Sequence, residues 1–302
     1  MTKRRTLIAV HGGGVLPPHK DYQELWRRAL RAGIARDSQA SLSAFDQLDL
    51  VLPWVADSFT DLHDSVDQEL DLLDRQRALS ALAGHSTTKA FRRLHYERLP
   101  GKSALTEFVV GIAAPAMGLI GLGKRAVGAA VPELKRYWDE NSDLRERWLA
   151  QLVAPLSTSL ARGDSVVMVA HGIGAVAAWD TLWTLSQESP TKKLDLLITL
   201  GSPLANNTVR HLLLGANEPI EKRFPTNLAR WHNIAAEDDF LCHDKTVVDD
   251  FSGMLKRHQI SELVDHHVYN LSVRYGRSAP GHSAGYLAHP RTAELLGQWL
   301  AG

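Results

Sequence analysis

Short runs of apolar and β-branched residues recur along the chain, each ending in a turn and followed by apolar positions at helical spacing. Such runs read as buried strands, and the spacing behind them reads as helices packed on a sheet. The first run, 6–10, ends at His11-Gly12-Gly13-Gly14 and leads through Pro17-Pro18 into a helix carrying Tyr22, Leu25, Trp26 and Leu30. The second, 48–55, contains Pro53, which suits a position near a sheet edge. An amphipathic helix runs from Asp143 to about Leu160 and stops at Gly163. The third run, 166–170, passes through His171-Gly172-Ile173-Gly174 into a helix through Trp179, and a fourth, 194–200, ends in Gly201-Ser202-Pro203-Leu204. A polar excursion, 206–229, precedes the strand 230–236 and its acidic turn Glu237-Asp238-Asp239. A helix over 247–255, a strand over 267–273 and a helix over 290–300, with proline in its first turn, complete the pattern. Strand and helix alternate about six times. The expected fold is therefore α/β, a mostly parallel sheet of about six strands with helices on both faces.

Residues 58–138 interrupt that alternation. They are charged over 61–77, basic over 92–98 and apolar over 104–123, and they read as a helical cap inserted into a single domain spanning 1–302. The apolar stretch approaches membrane-spanning length and is flanked by Lys102 and Lys124-Arg125. Glu107, Pro115 and several glycines inside so marginal a window favour a buried or substrate-covering cap helix over a membrane-associated segment. An apolar lid of this kind suits a lipophilic substrate.

Composition narrows the partners. The 34 basic and 34 acidic side chains cancel, which disfavours nucleic acid and other polyanions. The single cysteine, Cys242, excludes an internal disulfide, and the basic N-terminus runs straight into a strand-length apolar stretch with no signal-peptide pattern, so a cytoplasmic protein is expected.

In open α/β sheets the ligand sits at the carboxyl ends of the strands, so the residues just past each strand carry the candidate chemistry. The glycines after the first strand match neither a phosphate loop nor a dinucleotide fingerprint, since no G-K-[ST] follows and position 17 is proline. Strand, sharp turn and helix around Ala170-x-Gly172-x-Gly174 form the context of a nucleophile elbow, normally written G-x-S-x-G. Past the fifth strand stand Asp238 and Asp239, and past the last stands His282 in a Gly-Pro-rich loop. Nucleophile position, acid and histidine follow one another in chain order.

With His11-Gly12-Gly13-Gly14, the elbow, Gly201-Ser202-Pro203, the acid and the late histidine in this order, the chain resembles the α/β-hydrolase superfamily, in its lipase- and esterase-like branch. The resemblance covers nearly all of the chain apart from the insert. It implies backbone N–H groups of Gly13 or Gly12 and of Ile173 as oxyanion donors, His282 as general base, and Asp239, with Asp238 as alternate, as the acid that orients it. It implies a small acyl ester or lipid-like substrate and no cofactor. The departure is Gly172, which offers no attacking atom, so the chain as written is expected to be inactive or nearly so. A hydrolase whose nucleophile was replaced, a natural pseudo-hydrolase serving as a ligand- or protein-binding module, and a lyase-type acid/base enzyme remain the readings.

The other polar residues have plainer explanations. His11 and His171 read as hydrogen-bonded turn residues, Ser202 lacks the strand-turn-helix setting of a nucleophile, and His266 and His267 read as opening a strand. Asp238 or Asp239 is alternatively a cap for a helix starting near Asp244. His232, Cys242, His243 and Asp244 lack the paired spacing of a zinc site, and no metal is assigned.

Overall fold

The computed structural model describes residues 3–13, 16, 18–55, 132–188, 192–237, 239, 242, 244–270 and 283–302. The elements in chain order are β1 (Arg5–Val10), α1 (His19–Asp37), α2 (Gln39–Asp46), β2 (Asp49–Val51), α3 (Pro132–Tyr137), α4 (Leu144–Arg162), β3 (Ser165–His171), α5 (Gly174–Glu188), β4 (Leu196–Leu200), α6 (Asn207–Arg210), β5 (Arg230–Ala236), α7 (Val248–Lys256), β6 (Glu262–Val268), α8 (Ser283–Leu287) and α9 (Pro290–Ala301). Six strands pair in the order β2-β1-β3-β4-β5-β6, every pair parallel. The expected α/β fold is the one observed.

Strand alternation sends successive side chains to opposite faces, and the core divides accordingly. Ile8, Val10, Val166, Met168, Ala170, Leu197 and Trp231 pack with α3, α4, α5 and α7 on one face. Leu7, Ala9, Val167, Val169, Ile198, Leu200 and Ile234 pack with α1, α2, α8 and α9 on the other. Because both faces are buried, the central strands read as unbroken apolar runs. Helix α4 ends where Gly163 adopts φ 77°, with backbone bonds from Gly163 N to Leu160 O and from Asp164 N to Ser159 O closing its last turn.

Three elements differ in extent from the sequence expectation. β2 covers only Asp49–Val51, and it does lie on the sheet edge. The polar excursion holds the short helix α6, capped by the Asn206 side chain accepting from the N–H groups of Thr208 and Val209. The strand expected over 267–273 is a correction: β6 is Glu262–Val268, so His266 and His267 close the strand instead of opening it. Its polar letters hide it, because the inserted charge is satisfied in place. The Asp265 carboxylate accepts from the N–H groups of Val247 and Val248 and from Asn233 Nδ2, and so caps α7 from the neighbouring strand.

Of the stretch read as an inserted cap, only its C-terminal end is among the described residues. There Leu134, Tyr137 and Trp138 are buried in the main core. The apolar segment 104–123 lies outside the described residues, and among those described no helix is long and apolar enough to cross a membrane.

Candidate functional site

The sheet order reverses direction between β1 and β3, because the chain first steps outward to β2 and then returns past β1 to build β3 through β6. At such a switch point the loops leaving adjacent strands diverge to opposite faces and open a crevice at the carboxyl edge. The loops that flank it are His11-Gly12-Gly13 after β1 and His171-Gly172-Ile173-Gly174 after β3. The sequence therefore delivers its two glycine-rich turns to the same place.

The elbow itself is sharply defined. Gly172 has φ 55°, its N–H donates to Leu200 O across 2.9 Å, and its carbonyl accepts from Ala175 N at 3.1 Å, where the first turn of α5 begins. The two glycines of the turn are required for different reasons. A Cβ on Gly174 would fall 2.3 Å from His11 O, so helix and glycine loop can touch only through a bare Cα. Among the described residues, a Cβ on Gly172 would meet only Gly12 Cα, at 3.7 Å, which is ordinary contact. The described residues leave space for a side chain at 172, and among them only the left-handed backbone opposes one.

The glycine loop is packed in turn. A Cβ on Gly13 would lie 2.6 Å from Glu133 Cγ and 3.0 Å from Ile173 Cδ1. Glu133, the first described side chain of α3, is thus brought against the two positions named as oxyanion donors, and it is buried. His11 is fully buried, its Nδ1 2.7 Å from Gly12 O and its ring stacked on Trp148 at 5.5 Å, in keeping with a turn residue. His171 lies beside Gly12, where its Nδ1 would sit 2.9 Å from an added Cβ, and its ring is 5.9 Å from that of Tyr286.

Past β5 the chain presents Asp239, which is buried. Its role as a helix cap is not realised, since α7 starts at Val248 and takes its cap from Asp265. Instead Tyr286 Oη donates to Asp239 Oδ2 at 2.7 Å and accepts from Ala236 N at 3.0 Å, while Cys242 Sγ donates to the same Oδ2 at 3.7 Å. Burial, reinforced by the negative charge of Asp239, pushes the Cys242 thiol well above its ordinary value. Burial acts first on the Tyr286 phenol as well, with Cys242 and then Asp239 adding to it, so both groups keep their protons. Gly201, at the end of β4 with φ 56°, completes the cluster. A Cβ there would be 2.8 Å from Asp239 Oδ2 and 2.9 Å from Tyr286 Cε2.

Gly12, Gly13, Gly172, Ile173 and Asp239 are therefore brought to one end of the sheet. Asp238 and His282 lie outside the described residues. Ser202 is buried, and its Oγ accepts from Leu204 N at 3.1 Å as a turn-stabilising hydroxyl. His232, on β5, has its Nδ1 2.9 Å from His266 Nε2 on β6 and is not part of the crevice. Among the described residues no three His, Cys, Asp or Glu side chains are grouped to hold a metal. Sequence reasoning passed over Tyr286 and Glu133. Tyr286 follows His282 by four residues without any periodic signal, and Glu133 looks like one more charge at the end of the insert. The chain matches no known family model, no curated protein and no solved structure.

Proposed function

We propose that the crevice between β1 and β3 is an acyl-substrate site of the α/β-hydrolase type, in the lipase- and esterase-like manner, whose covalent step has lost its attacking atom at residue 172. The observation that carries the reading is the asymmetry of the elbow: Gly174 is demanded by contact with His11 O, whereas Gly172 has the left-handed turn and a side-chain direction that the described residues leave open. A left-handed turn of this kind, which would be strained with a side chain, has the form of a nucleophile position. The N–H groups of Ile173 and of Gly12 or Gly13 supply the oxyanion donors in this reading, and Asp239 supplies the carboxylate that orients His282. Esters of lipophilic acyl groups are the expected ligands.

With serine restored, Oγ attacks the acyl carbon and passes its proton to the imidazole. The imidazole returns that proton to the leaving alkoxide, and water later releases the acid. The test is Gly172→Ser. It should be labelled at residue 172 by a fluorophosphonate and should hydrolyse short acyl esters about 10³-fold or more faster than the glycine form. A folded serine variant that neither labels nor hydrolyses overturns the proposal. The glycine itself supports a second reading, a binding module that keeps the crevice without chemistry. That reading predicts saturable ester binding in the glycine form, unaffected by His282→Ala, and no gain of turnover in the serine variant.

A further inference from the structure

We infer that Tyr286 is the positioning residue for the Asp239 carboxylate, holding it at the end of the sheet toward the elbow. This rests on the hydrolase reading for its catalytic consequence, but the arrangement stands on its own geometry.

A carboxylate in a loop past a strand has two rotatable bonds and two equivalent oxygens, so nothing in the backbone alone decides which oxygen faces the crevice. Tyr286 decides it. Its hydroxyl is fixed from behind by the Ala236 N–H at 3.0 Å, which occupies an acceptor lone pair and aims the remaining O–H at Asp239 Oδ2, 2.7 Å away. Ala236 is the last residue of β5, so the hydroxyl is referenced to the rigid sheet and not to a loop. The Asp239 N–H donates to Ala236 O at 3.2 Å, so the same residue anchors both the backbone of the acid and the tyrosine that orients its side chain. Cys242, one turn further on, contacts the same oxygen and the same hydroxyl at 3.7 Å each. The Tyr286 hydroxyl and the Cys242 thiol thus both meet Oδ2, so the carboxylate is gripped through one oxygen.

Gly201 explains how the pair fits. Both Asp239 Oδ2 and the Tyr286 ring press against the place where its side chain would begin, so the end of β4 is bare there. The Tyr286 ring also lies 5.9 Å from that of His171, the residue before the elbow glycine. One aromatic side chain therefore spans from the acid to the nucleophile turn. In sequence it stands four residues after His282, within α8, whose residues are buried.

The experiment uses Tyr286→Phe, which keeps the ring and deletes the hydroxyl, in two backgrounds. In the Gly172 protein, ¹³C NMR follows the side-chain carboxyl of Asp239, assigned with Asp239→Asn. The loss of an O–H donor to the ionised carboxylate should raise the midpoint of its titration. In the Gly172→Ser protein the same change should lower kcat about 10- to 100-fold while KM stays within about twofold, because orientation and not substrate contact is lost. An unchanged Asp239 titration overturns the inference. A shifted titration with kcat intact in an active serine protein overturns the positioning role while leaving the hydrolase reading in place. A serine protein that is inert while the titration shifts overturns the hydrolase reading and leaves the tyrosine-carboxylate arrangement standing. Should Tyr286→Phe fail to fold, Gly201→Ala, whose Cβ wedges between the two side chains, must produce the same titration shift.

Discussion

At the scale of single residues, the two glycines of the elbow separate a packing requirement from a conformational one. Gly174→Ala places a methyl carbon 2.3 Å from His11 O, a backbone atom that can move only if β1 or α5 moves. Gly172→Ala meets nothing closer than 3.7 Å among the described residues, which leaves the left-handed backbone as its cost, about 1 to 3 kcal/mol. Urea unfolding should therefore show Gly172→Ala destabilised by that modest amount and Gly174→Ala by clearly more; equal losses would mean that helix and loop do not touch as described. The glycines themselves were legible in the sequence, because a small-residue turn between an apolar strand and an apolar helix has few other meanings. What the letters could not show is which glycine is there for space and which for φ, since both look alike until His11 O is seen against one of them. Tyr286 was invisible for a similar reason. Its importance comes from the approach of the end of β5 to α8, which are far apart in sequence, and no local pattern encodes it.

At the scale of elements, legibility followed burial. β3, β4 and β5 are covered on both faces, and their apolar runs gave them away almost to the residue. β6 is the edge strand beyond them, its burial is partial, and its Asp265, His266 and His267 masked it until the strand was found five residues earlier than expected. α3 was absorbed into the insert because six residues carry little periodicity. Its attachment is instead polar. Asp180, wholly buried on α5, accepts from Tyr137 Oη of α3 at 2.9 Å, from Arg145 of α4 at 2.6 Å, and from Leu214 N at 2.8 Å. Burial drives the Asp180 carboxyl up from its ordinary value despite Arg145 and the hydrogen bonds, which pull the other way. The same burial drives the Tyr137 phenol up. Removing the carboxylate strands a half-buried guanidinium and a buried hydroxyl without their shared acceptor. Asp180→Ala should cost about 3 to 5 kcal/mol in denaturant unfolding, the range for breaking one side of a buried pair. Because α3 carries Glu133 over the glycine loop, the same variant should also loosen that loop, seen as faster amide exchange at Gly12 and Gly13. A loss under 1 kcal/mol would show that the network is dispensable.

For the whole molecule, the alternation of strand and helix announced a parallel sheet, but the order β2-β1-β3-β4-β5-β6 comes only from the way the crossovers pack, and that order is what places the crevice. Closing the far side of the sheet is α9, and its start makes the stability of the fold depend on pH. His289 is the N-cap of α9, and its Nδ1 accepts from Arg291 N at 3.0 Å, so the ring must be unprotonated at that nitrogen. Burial, with Arg291 and Arg36 adding to it, brings His289 down to about 4 from an ordinary value of 6.5. On β6, burial together with Arg291 and the hydrogen-bonded His232 brings His266 down to about 4 as well. Between these values and 6.5 the unfolded chain holds more protons than the native one, so stability is complete above about pH 6.5 and falls as the pH drops toward 4. For His289 alone the full fall is up to about 3 kcal/mol, from a shift of roughly 2.5 units at about 1.36 kcal/mol each. Asp250 opposes it: its carboxyl, raised to about 6 chiefly by burial, gains protons on folding and favours the native state over the lower part of the same range. The histidines should dominate, and the urea midpoint at pH 4.5 should lie below that at pH 7.5. His289→Asn keeps an acceptor at the cap but cannot titrate, and should flatten the dependence between those pH values while leaving the midpoint at pH 7.5 near the native one. A slope unchanged in His289→Asn would place the pH sensitivity elsewhere, with the His232–His266 pair between β5 and β6 the next to replace.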